Sequence, residues 1–303
     1  MTNQKKITTD NTQRYYQMKQ RLVPYLFLAP NLLIFTIFII VPAFVGIYYS
    51  FTNFDGLADP TFVGVENYVE IFTDGRFLST MWNTIRLVAA TVPIVFFAAM
   101  FIAILIVQPL RGRPFFRAAY YWPVMISFIV VGVMWSWIFN ADFGLVNPFL
   151  SLFGIDKIET LKNPFFAWWG VVFIFTWNRA GYYMVMFAAA LLSIPTSLYE
   201  AAKVDGANKW QTFKFVTYPA LKPARVMVFI LATMEVFKTF AIVVTFTDGG
   251  PYGTTEFIVQ YIYETAFESY DVGLASAMSV IMIIIVTIFT GFNFIFSKRG
   301  GEE

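Results

Sequence analysis

The sequence contains no cysteine and no histidine, and it is poor in charge. Only 13% of its 303 residues are charged while 58% are hydrophobic, whereas soluble domains carry about 25% charged residues. Without Cys or His, the chain has no disulfides, no thiolate or imidazole metal sites and none of the commonest general base. A net charge of +2 gives no global attraction to nucleic acid. The scarcity of charge indicates that much of the chain faces lipid.

Long uncharged runs predict an all-α membrane protein with about six transmembrane helices, because roughly 20 apolar residues in a helix cross a bilayer core. The first run is followed by bulky residues at 48–51 instead of a small-residue cleavage site, so we expect a retained helix and not a signal peptide. The predicted transmembrane domain covers residues 25–297, between tails at 1–24 and 298–303. Its spans are residues 25–48, 87–110, 118–141, 165–194, 226–246 and 272–297.

The distribution of Lys and Arg predicts the orientation of the chain. Basic residues concentrate in both tails and in the loops around 111–117 and 195–223, while acidic residues dominate the alternate loops. Because basic loops stay on the cytoplasmic side, we expect both termini and the 195–223 loop in the cytoplasm. The chain is then a multi-pass protein of a bacterial or archaeal plasma (inner) membrane.

The loop at 195–223 has more structure than a simple connection needs. Ser197 and Glu200 have the spacing of a helix capping box, and Gly206 is placed to end a short apolar helix. The aromatic residues that follow are unusual for a water-exposed loop. From these residues alone, the helix either lies on the lipid interface or contacts a cytoplasmic partner. The aromatic residues are Trp210, Phe213, Phe215 and Tyr218.

Three charged residues, Arg179, Glu235 and Lys238, fall within predicted spans. Each costs about 2.5–3.5 kcal/mol at mid-bilayer, so all three are expected in the bundle interior or in a wet cavity. Glu235 and Lys238 are three residues apart, which predicts that they share a helix face and can pair. The group is either a polar clamp between helices or a contact for a polar solute.

The same loop carries a family resemblance. Glu200-Ala201-Ala202, then Gly206, then residues 216–219 (Val-Thr-Tyr-Pro) resemble the EAA loop of binding-protein-dependent ABC import permeases. Val216 and Tyr218 replace the usual Ile and Leu and keep an apolar surface. Residues 25–30, 62–68 and 247–251 are similar to segments of the carbohydrate-uptake branch, which includes maltose, multiple-sugar and glycerol-3-phosphate systems.

This resemblance implies the type I ABC importer transmembrane-domain fold with a cytoplasmic coupling helix. The helix would sit in a cleft of a separate ATPase, which would bind ATP and Mg, so no cofactor is expected in this chain. The sequence has no Gly-Lys pair and therefore no phosphate-binding P-loop, and it is expected to be a transporter subunit and not an enzyme. The implied partners are a second related permease, an ATPase dimer, an external solute-binding protein and a sugar or sugar-like solute. The coupling residues implied are Glu200, Ala201, Ala202, Asp205 and Gly206.

The resemblance also implies a solute pathway between the fourth and fifth spans. Arg179 and Lys238 together suit a phosphate or carboxylate, which leaves acidic sugars and glycerol phosphates open beside neutral sugars. Gly249-Gly250-Pro251 resembles the turn at which the external binding protein docks, and such a tripeptide is equally a simple helix-ending turn. The pathway residues implied are Asn178, Arg179, Tyr182, Glu235, Lys238 and Thr239.

A rival hypothesis is an ATP-independent secondary carrier in which Glu235 and Lys238 form an ion-coupled relay. It leaves the 195–223 loop unexplained.

Overall fold

The structure is a computed structural model that describes residues 23–109 and 111–299, with side chains as far as residue 291. Residues 1–22 and 300–303 of the predicted tails, and residue 110 at the end of the second predicted span, lie outside this part. Within it the ordered elements are helices, and the only β-type contact is one antiparallel bridge between Thr52 and Phe62. The predicted all-α class is confirmed.

Most of the described chain is helical, and the helices are numbered α1 to α13 in chain order. A π-helical turn at Thr36–Ile40 interrupts α1, and another at Phe213–Thr217 follows α9 and leads into a last turn at Tyr218–Ala220. The helices are α1 Val23–Tyr49, α2 Glu66–Thr73, α3 Gly75–Val107, α4 Arg113–Tyr121, α5 Phe128–Ile138, α6 Val146–Ser151, α7 Pro164–Leu192, α8 Thr196–Val204, α9 Lys209–Thr212, α10 Lys222–Phe237, α11 Ala241–Phe246, α12 Ile258–Phe267 and α13 Val272–Arg299.

Three of these helices are long and apolar enough to cross a membrane: α1, α3 and the Val272–Gly291 part of α13. The count rises to as many as five if α4 with α5, and α7 with α8, each form one bent span. The exact number of six crossings therefore stays a prediction. The second predicted span, residues 87–110, corresponds to α3, which begins much earlier, at Gly75.

The third predicted span, residues 118–141, is not one straight helix. The chain passes through a 3-10 turn at Trp122–Met125 and bends by 100° before α5. Proline has no N–H for the helical ladder, and Ile126 and Ser127 on the far side of the turn have extended backbone. The carbonyl of Pro123 accepts a hydrogen bond from Asn178 Nδ2 at 2.7 Å, which ties the bend to α7.

The fifth predicted span, residues 226–246, is also broken. Helix α10 ends at Phe237 and α11 begins at Ala241. Lys238 closes the first segment, with its backbone N–H bonded to the Glu235 carbonyl at 3.1 Å. The break places two polar residues, Lys238 and Thr239, between apolar helices.

The core lies between α3 and α7, and α10 packs against both. Small residues on α3, such as Ala99 and Ala103, are fully buried beside the large side chains Phe175 and Phe187 of α7. Lipid tails are as apolar as these side chains, so close van der Waals packing holds such helices together and not a hydrophobic force between them. The packing fixes α7 and α10 side by side, where the intramembrane charges lie.

Candidate functional site

The segment that resembles a coupling helix is a short helix on the surface of the described chain. Helix α8 leaves α7 at an angle of 67°. Gly206 ends it in the left-handed conformation (φ +72°). The N–H of Gly206 bonds to the Lys203 carbonyl, and the N–H of Ala207 to the Ala202 carbonyl at 2.9 Å. This is the hydrogen-bond pattern of a Schellman motif, as the sequence predicted for a glycine stop.

The predicted capping box at Ser197 and Glu200 is wrong. Helix α8 begins at Thr196 after Pro195, and no side chain caps it. Ser197 already has a place inside the first turn, so its hydroxyl is not at the capping position. The capping box lies at the next helix, where Asn208 and Gln211 each bond the other's backbone N–H.

The surface of α8 is well suited to contact another protein. Glu200, Ala201, Asp205 and Gly206 are exposed, while Ala202 is buried against its own chain. The apolar side chain of Val204 is 88% exposed. Exposed apolar side chains continue along the loop at Leu198, Trp210 and Phe215.

Two of the three intramembrane charges meet between α7 and α10. Arg179 Nη2 lies 2.9 Å from Glu235 Oε1, and the two side chains are 19% and 35% exposed. The hydroxyl of Tyr183 donates to Glu235 Oε2 at 2.6 Å. The Arg179 guanidinium also lies over the Phe128 ring, 4.3 Å from its centre, and its buried Nε has no hydrogen-bond partner in the described chain. Glu235 is therefore held from two sides, and its charge is balanced by Arg179.

The predicted pairing of Glu235 with Lys238 is wrong. Glu235 pairs with Arg179 instead, and Lys238 is the residue that caps the end of α10. Lys238 is exposed and forms no ion pair with any described residue. Thr239 is buried, and its hydroxyl reaches the Glu235 carbonyl at 3.4 Å.

The remaining predicted pathway residues point in different directions. Asn178 is buried and uses its amide to hold the Pro123 turn, so its Nδ2 has a structural partner. Tyr182 is partly exposed and packs edge-on against Tyr183, with ring centres 5.2 Å apart. The structure thus brings Arg179, Glu235 and Thr239 close together. Tyr182 packs on Tyr183, which bonds Glu235, and Lys238 directly precedes Thr239 in the chain.

Gly249-Gly250-Pro251 forms a tight turn after α11. Asp248 and Gly249 both have positive φ, of 49° and 77°, and the Gly250–Pro251 peptide bond is cis. The Gly250 N–H bonds to the Thr247 carbonyl at 2.9 Å, and the Thr255 hydroxyl donates to the Gly250 carbonyl. The turn is therefore fixed by its own hydrogen bonds.

A polar cavity of about 180 Å³ opens beside this turn. Arg76, from the first turn of α3, forms ion pairs with Glu256 at 2.7 Å and with Glu264 of α12. Sequence reasoning missed this cluster, because Arg76 lies 180 residues from Glu256 and 188 from Glu264 along the chain. The spacing of Gln260 and Glu264, four residues apart, was the available signal, since it places them on one face of α12, while Glu256 lies just before that helix. The cavity is lined by Arg76, Asp248, Gly249, Gly250, Glu256, Gln260 and Glu264.

Tyr261 fastens α12 to the start of α3. Its hydroxyl donates to Asp74 Oδ2 at 2.6 Å, and Asp74 also accepts the backbone N–H groups of Arg76 and Phe77. Burial, and next the bond to the Asp74 carboxylate, raise the pKa of the Tyr261 phenol above its ordinary value. The phenol therefore stays a hydrogen-bond donor at neutral pH, and this end of the cavity is held in place.

No group of three or more acidic side chains could hold a metal ion anywhere in residues 23–109 and 111–299. The polar clusters of this part of the chain are ion pairs and hydrogen-bond networks between helices. They suit the binding of a polar solute or a partner protein.

Comparisons with known proteins show the family to which the chain belongs. Residues 71–300 match the family described as "Binding-protein-dependent transport system inner membrane component". The probable starch degradation products transport system permease protein AmyD of Thermoanaerobacterium thermosulfurigenes is 33% identical over 264 residues, which cover 87% of this chain and 90% of that protein. The sn-glycerol-3-phosphate transport system permease protein UgpA of Salmonella choleraesuis is 33% identical over 278 residues, covering 91% and 94%.

A solved structure has the same fold. It is a bacterial alginate ABC transporter in complex with an alginate pentasaccharide-bound periplasmic protein, and a chain of it matches with a TM-score of 0.82 and 24% identity, over 95% of this chain and 98% of that one. The fold is therefore that of a type I ABC importer permease. The chain belongs to the family of inner membrane components of binding-protein-dependent transport systems, and it is a permease subunit of an ABC importer and not an enzyme.

Proposed function

We propose that this chain forms half of the membrane pathway through which an ABC importer moves a sugar or sugar-like solute into the cytoplasm. Relatives of similar length are named for starch degradation products and for sn-glycerol-3-phosphate. The solute class proposed here therefore runs from neutral oligosaccharides to acidic sugars and glycerol phosphates. A second, related permease supplies the other half of the pathway.

The exposed helix α8 is the single observation that carries the proposal. It stands at 67° to α7, and it presents Glu200, Ala201, Asp205 and Gly206 at its surface. A Cβ atom added at Gly206 would meet nothing within 4 Å in this chain, so the space beside it is open to a partner. In the proposal this surface docks in a cleft of the ATPase, and Ala202 anchors the helix to its own loop. Closure of the ATPase dimer then moves α7 through α8.

The proposed solute pathway runs past the Arg179–Glu235 pair and the break between α10 and α11. Glu235 balances the charge of Arg179, and Lys238, which has no ion pair among the described residues, is the cation proposed to meet an anionic solute group. Tyr182 offers an exposed aromatic ring of the kind that stacks on a sugar face. Thr239 and Asn178 belong to the same region, and their side chains donate hydrogen bonds to the carbonyls of Glu235 and Pro123.

The proposal places α8 and both termini in the cytoplasm of a bacterial or archaeal cell, and the Gly249-Gly250-Pro251 turn outside. The ATPase dimer binds ATP and Mg, and the external binding protein delivers the solute at the turn. A complex of this type has been solved for the alginate transporter, with its periplasmic protein bound.

Reconstitution of the complete complex in nanodiscs tests the proposal. A ligand screen on the external binding protein identifies the solute, and ATP hydrolysis by the complex is then measured with loaded and with empty binding protein. We expect stimulation by the loaded form and uptake that stops when the ATPase is removed. Uptake that continues without the ATPase contradicts the proposal.

The ATP-independent carrier hypothesis has no support. Its relay required Glu235 and Lys238 to act together, whereas Glu235 is paired with Arg179 and Tyr183. The family membership assigns the chain to ATP-driven importers.

A further inference from the structure

We infer that the cavity beside the Gly249-Gly250 turn is a receptor for one basic side chain, Lys or Arg, of the external solute-binding protein. This inference rests on the proposed importer function and names the chemistry by which the partner docks. The cavity is defined by Arg76, Asp248, Gly249, Glu256, Gln260 and Glu264.

The charges of the cavity favour a cation. Three carboxylates, Asp248, Glu256 and Glu264, face a single guanidinium, that of Arg76. Glu256 and Glu264 share that guanidinium, and Asp248 has no ion pair among the described residues. The lining is therefore short of positive charge, and a second cation would complete it.

A buried acceptor also lacks a partner in this cavity. Gln260 is only 4% exposed, and its Nε2 donates to Glu264 Oε1 at 3.0 Å. Its Oε1 is buried and accepts no hydrogen bond from the described chain. A buried acceptor without a hydrogen bond is unfavourable, and an incoming N–H group would satisfy it.

The size and the walls of the cavity select a side chain over a larger ligand. At about 180 Å³ the cavity is smaller than the roughly 300–1,000 Å³ of typical small-molecule pockets. Gly249 forms part of the wall, and a Cβ at this position would lie 3.3 Å from Gln260 Oε1. Because Gly249 has no side chain, it leaves room for an incoming group to approach Gln260 Oε1.

The location identifies the source of the basic side chain. The cavity shares Gly249 and Gly250 with the turn at which the binding protein is proposed to dock. A protein seated on that turn covers the cavity mouth, and a Lys or Arg at its centre enters between Asp248 and Gln260.

The test compares two cavity variants with one control in the reconstituted complex. Asp248→Asn removes the charge and keeps a residue that tolerates positive φ. Gln260→Met removes the orphaned acceptor at similar volume, together with the Nε2 donor to Glu264. Glu159→Gln is the control, because Glu159 is an exposed carboxylate of another predicted outer loop and pairs only with Lys162. The readout is the Kd of the purified binding protein for the complex at low and at high salt.

We expect each cavity variant to weaken binding by about tenfold or more, the effect of losing one hydrogen bond to a charged group. Asp248→Asn should also flatten the salt dependence of Kd, and Glu159→Gln should match the wild type in both respects. Replacement of the partnering Lys or Arg in the binding protein should weaken binding less in the Asp248→Asn background than in the wild type.

Unchanged Kd and salt dependence in both cavity variants would overturn the inference. The importer function is judged separately, by stimulation of ATP hydrolysis in the wild-type complex. If the loaded binding protein stimulates the wild type and the cavity variants bind it normally, only the docking chemistry is wrong. If it does not stimulate the wild type, the importer proposal itself fails.

Discussion

At the scale of single residues, Glu235 is the centre of the polar cluster between α7 and α10. One of its oxygens forms an ion pair with Arg179, and the other accepts a hydrogen bond from Tyr183. A carboxylate in this position is stable because its charge is balanced and it has a hydrogen-bond donor. The pair also joins α7 to α10, the two helices that flank the proposed pathway.

Replacing Glu235 with Gln should destabilise the permease, because Arg179 then keeps a half-buried charge without a counter-ion. The pair is partly exposed, so we expect a loss of about 1–3 kcal/mol in the free energy of unfolding, less than for a fully buried pair. Thermal unfolding of the purified complex measures it. The double variant Arg179→Gln/Glu235→Gln should lose less than the sum of the two single variants, and additive losses would show that the pair is not coupled.

Lys238 should influence solute preference, because its charge is exposed and unpaired in the described chain. In Lys238→Gln, the concentration of an anionic solute that half-saturates stimulated ATP hydrolysis should rise about tenfold, the worth of one charged hydrogen bond. A neutral solute should be affected little. Lys209→Gln, which changes an exposed lysine of α9, is the control. Equal effects on both solutes, or none, would remove Lys238 from the pathway.

At the scale of elements, the breaks in the helices matter more than the helices themselves. The 100° bend before α5 and the gap after α10 interrupt two predicted spans, and the turn into α8 redirects the chain by 67°. The helical runs were predictable because apolar periodicity is a local property. The bend was not, because it depends on Asn178 of α7 reaching the Pro123 carbonyl.

Substitution of Gly206 should separate two requirements at the end of α8: a left-handed backbone conformation and open space for the ATPase. A non-glycine residue in the left-handed conformation costs about 1–2 kcal/mol, and Asn tolerates it best. We expect Gly206→Leu to assemble but to lose stimulation of ATP hydrolysis by the binding protein, because its side chain projects into the space proposed for the ATPase. Gly206→Asn should retain more stimulation.

Gly206→Ala supplies the control, since it adds the backbone strain with little bulk. If this variant is uncoupled as fully as Gly206→Leu, strain and not partner approach is the cause. Normal uptake by Gly206→Leu would refute the coupling role.

Gly181 should tolerate no side chain. A Cβ at this position would lie 2.0 Å from the Tyr120 carbonyl oxygen, a backbone atom. Gly181→Ala should therefore lower the free energy of unfolding by about 1–3 kcal/mol, as overpacking does. Gly46→Ala is the matched control, because a Cβ there meets nothing within 4 Å. Equal melting temperatures for the two variants would contradict the close packing of α7 on the bend.

At the scale of the whole molecule, the chain is incomplete without its surroundings. Helix α1 has 27 residues, and its most apolar window is not buried at all within the chain. Such a surface is stable only against lipid or another apolar protein surface. Helix α8 is likewise exposed and available to contact a partner, as expected for a subunit of a larger complex.

The predicted topology can be mapped directly, because the chain has no native cysteine. Ser197→Cys in α8 and Ser151→Cys in α6 both replace exposed residues. In intact cells, a membrane-impermeant maleimide should label the position 151 variant and spare the position 197 variant, and permeabilised cells should show labelling of both. The reverse pattern would contradict the cytoplasmic placement of the coupling loop.

The sequence by itself determined that this chain is helical, that it belongs in a membrane and that it carries the EAA loop of an importer permease. These properties depend on local composition and on spacing over a few tens of residues. Only the tertiary structure decided which carboxylate neutralises Arg179, what holds Asn178, and that Arg76 meets Glu256, 180 residues away. Such contacts depend on how distant helices pack, and no local pattern specifies that packing.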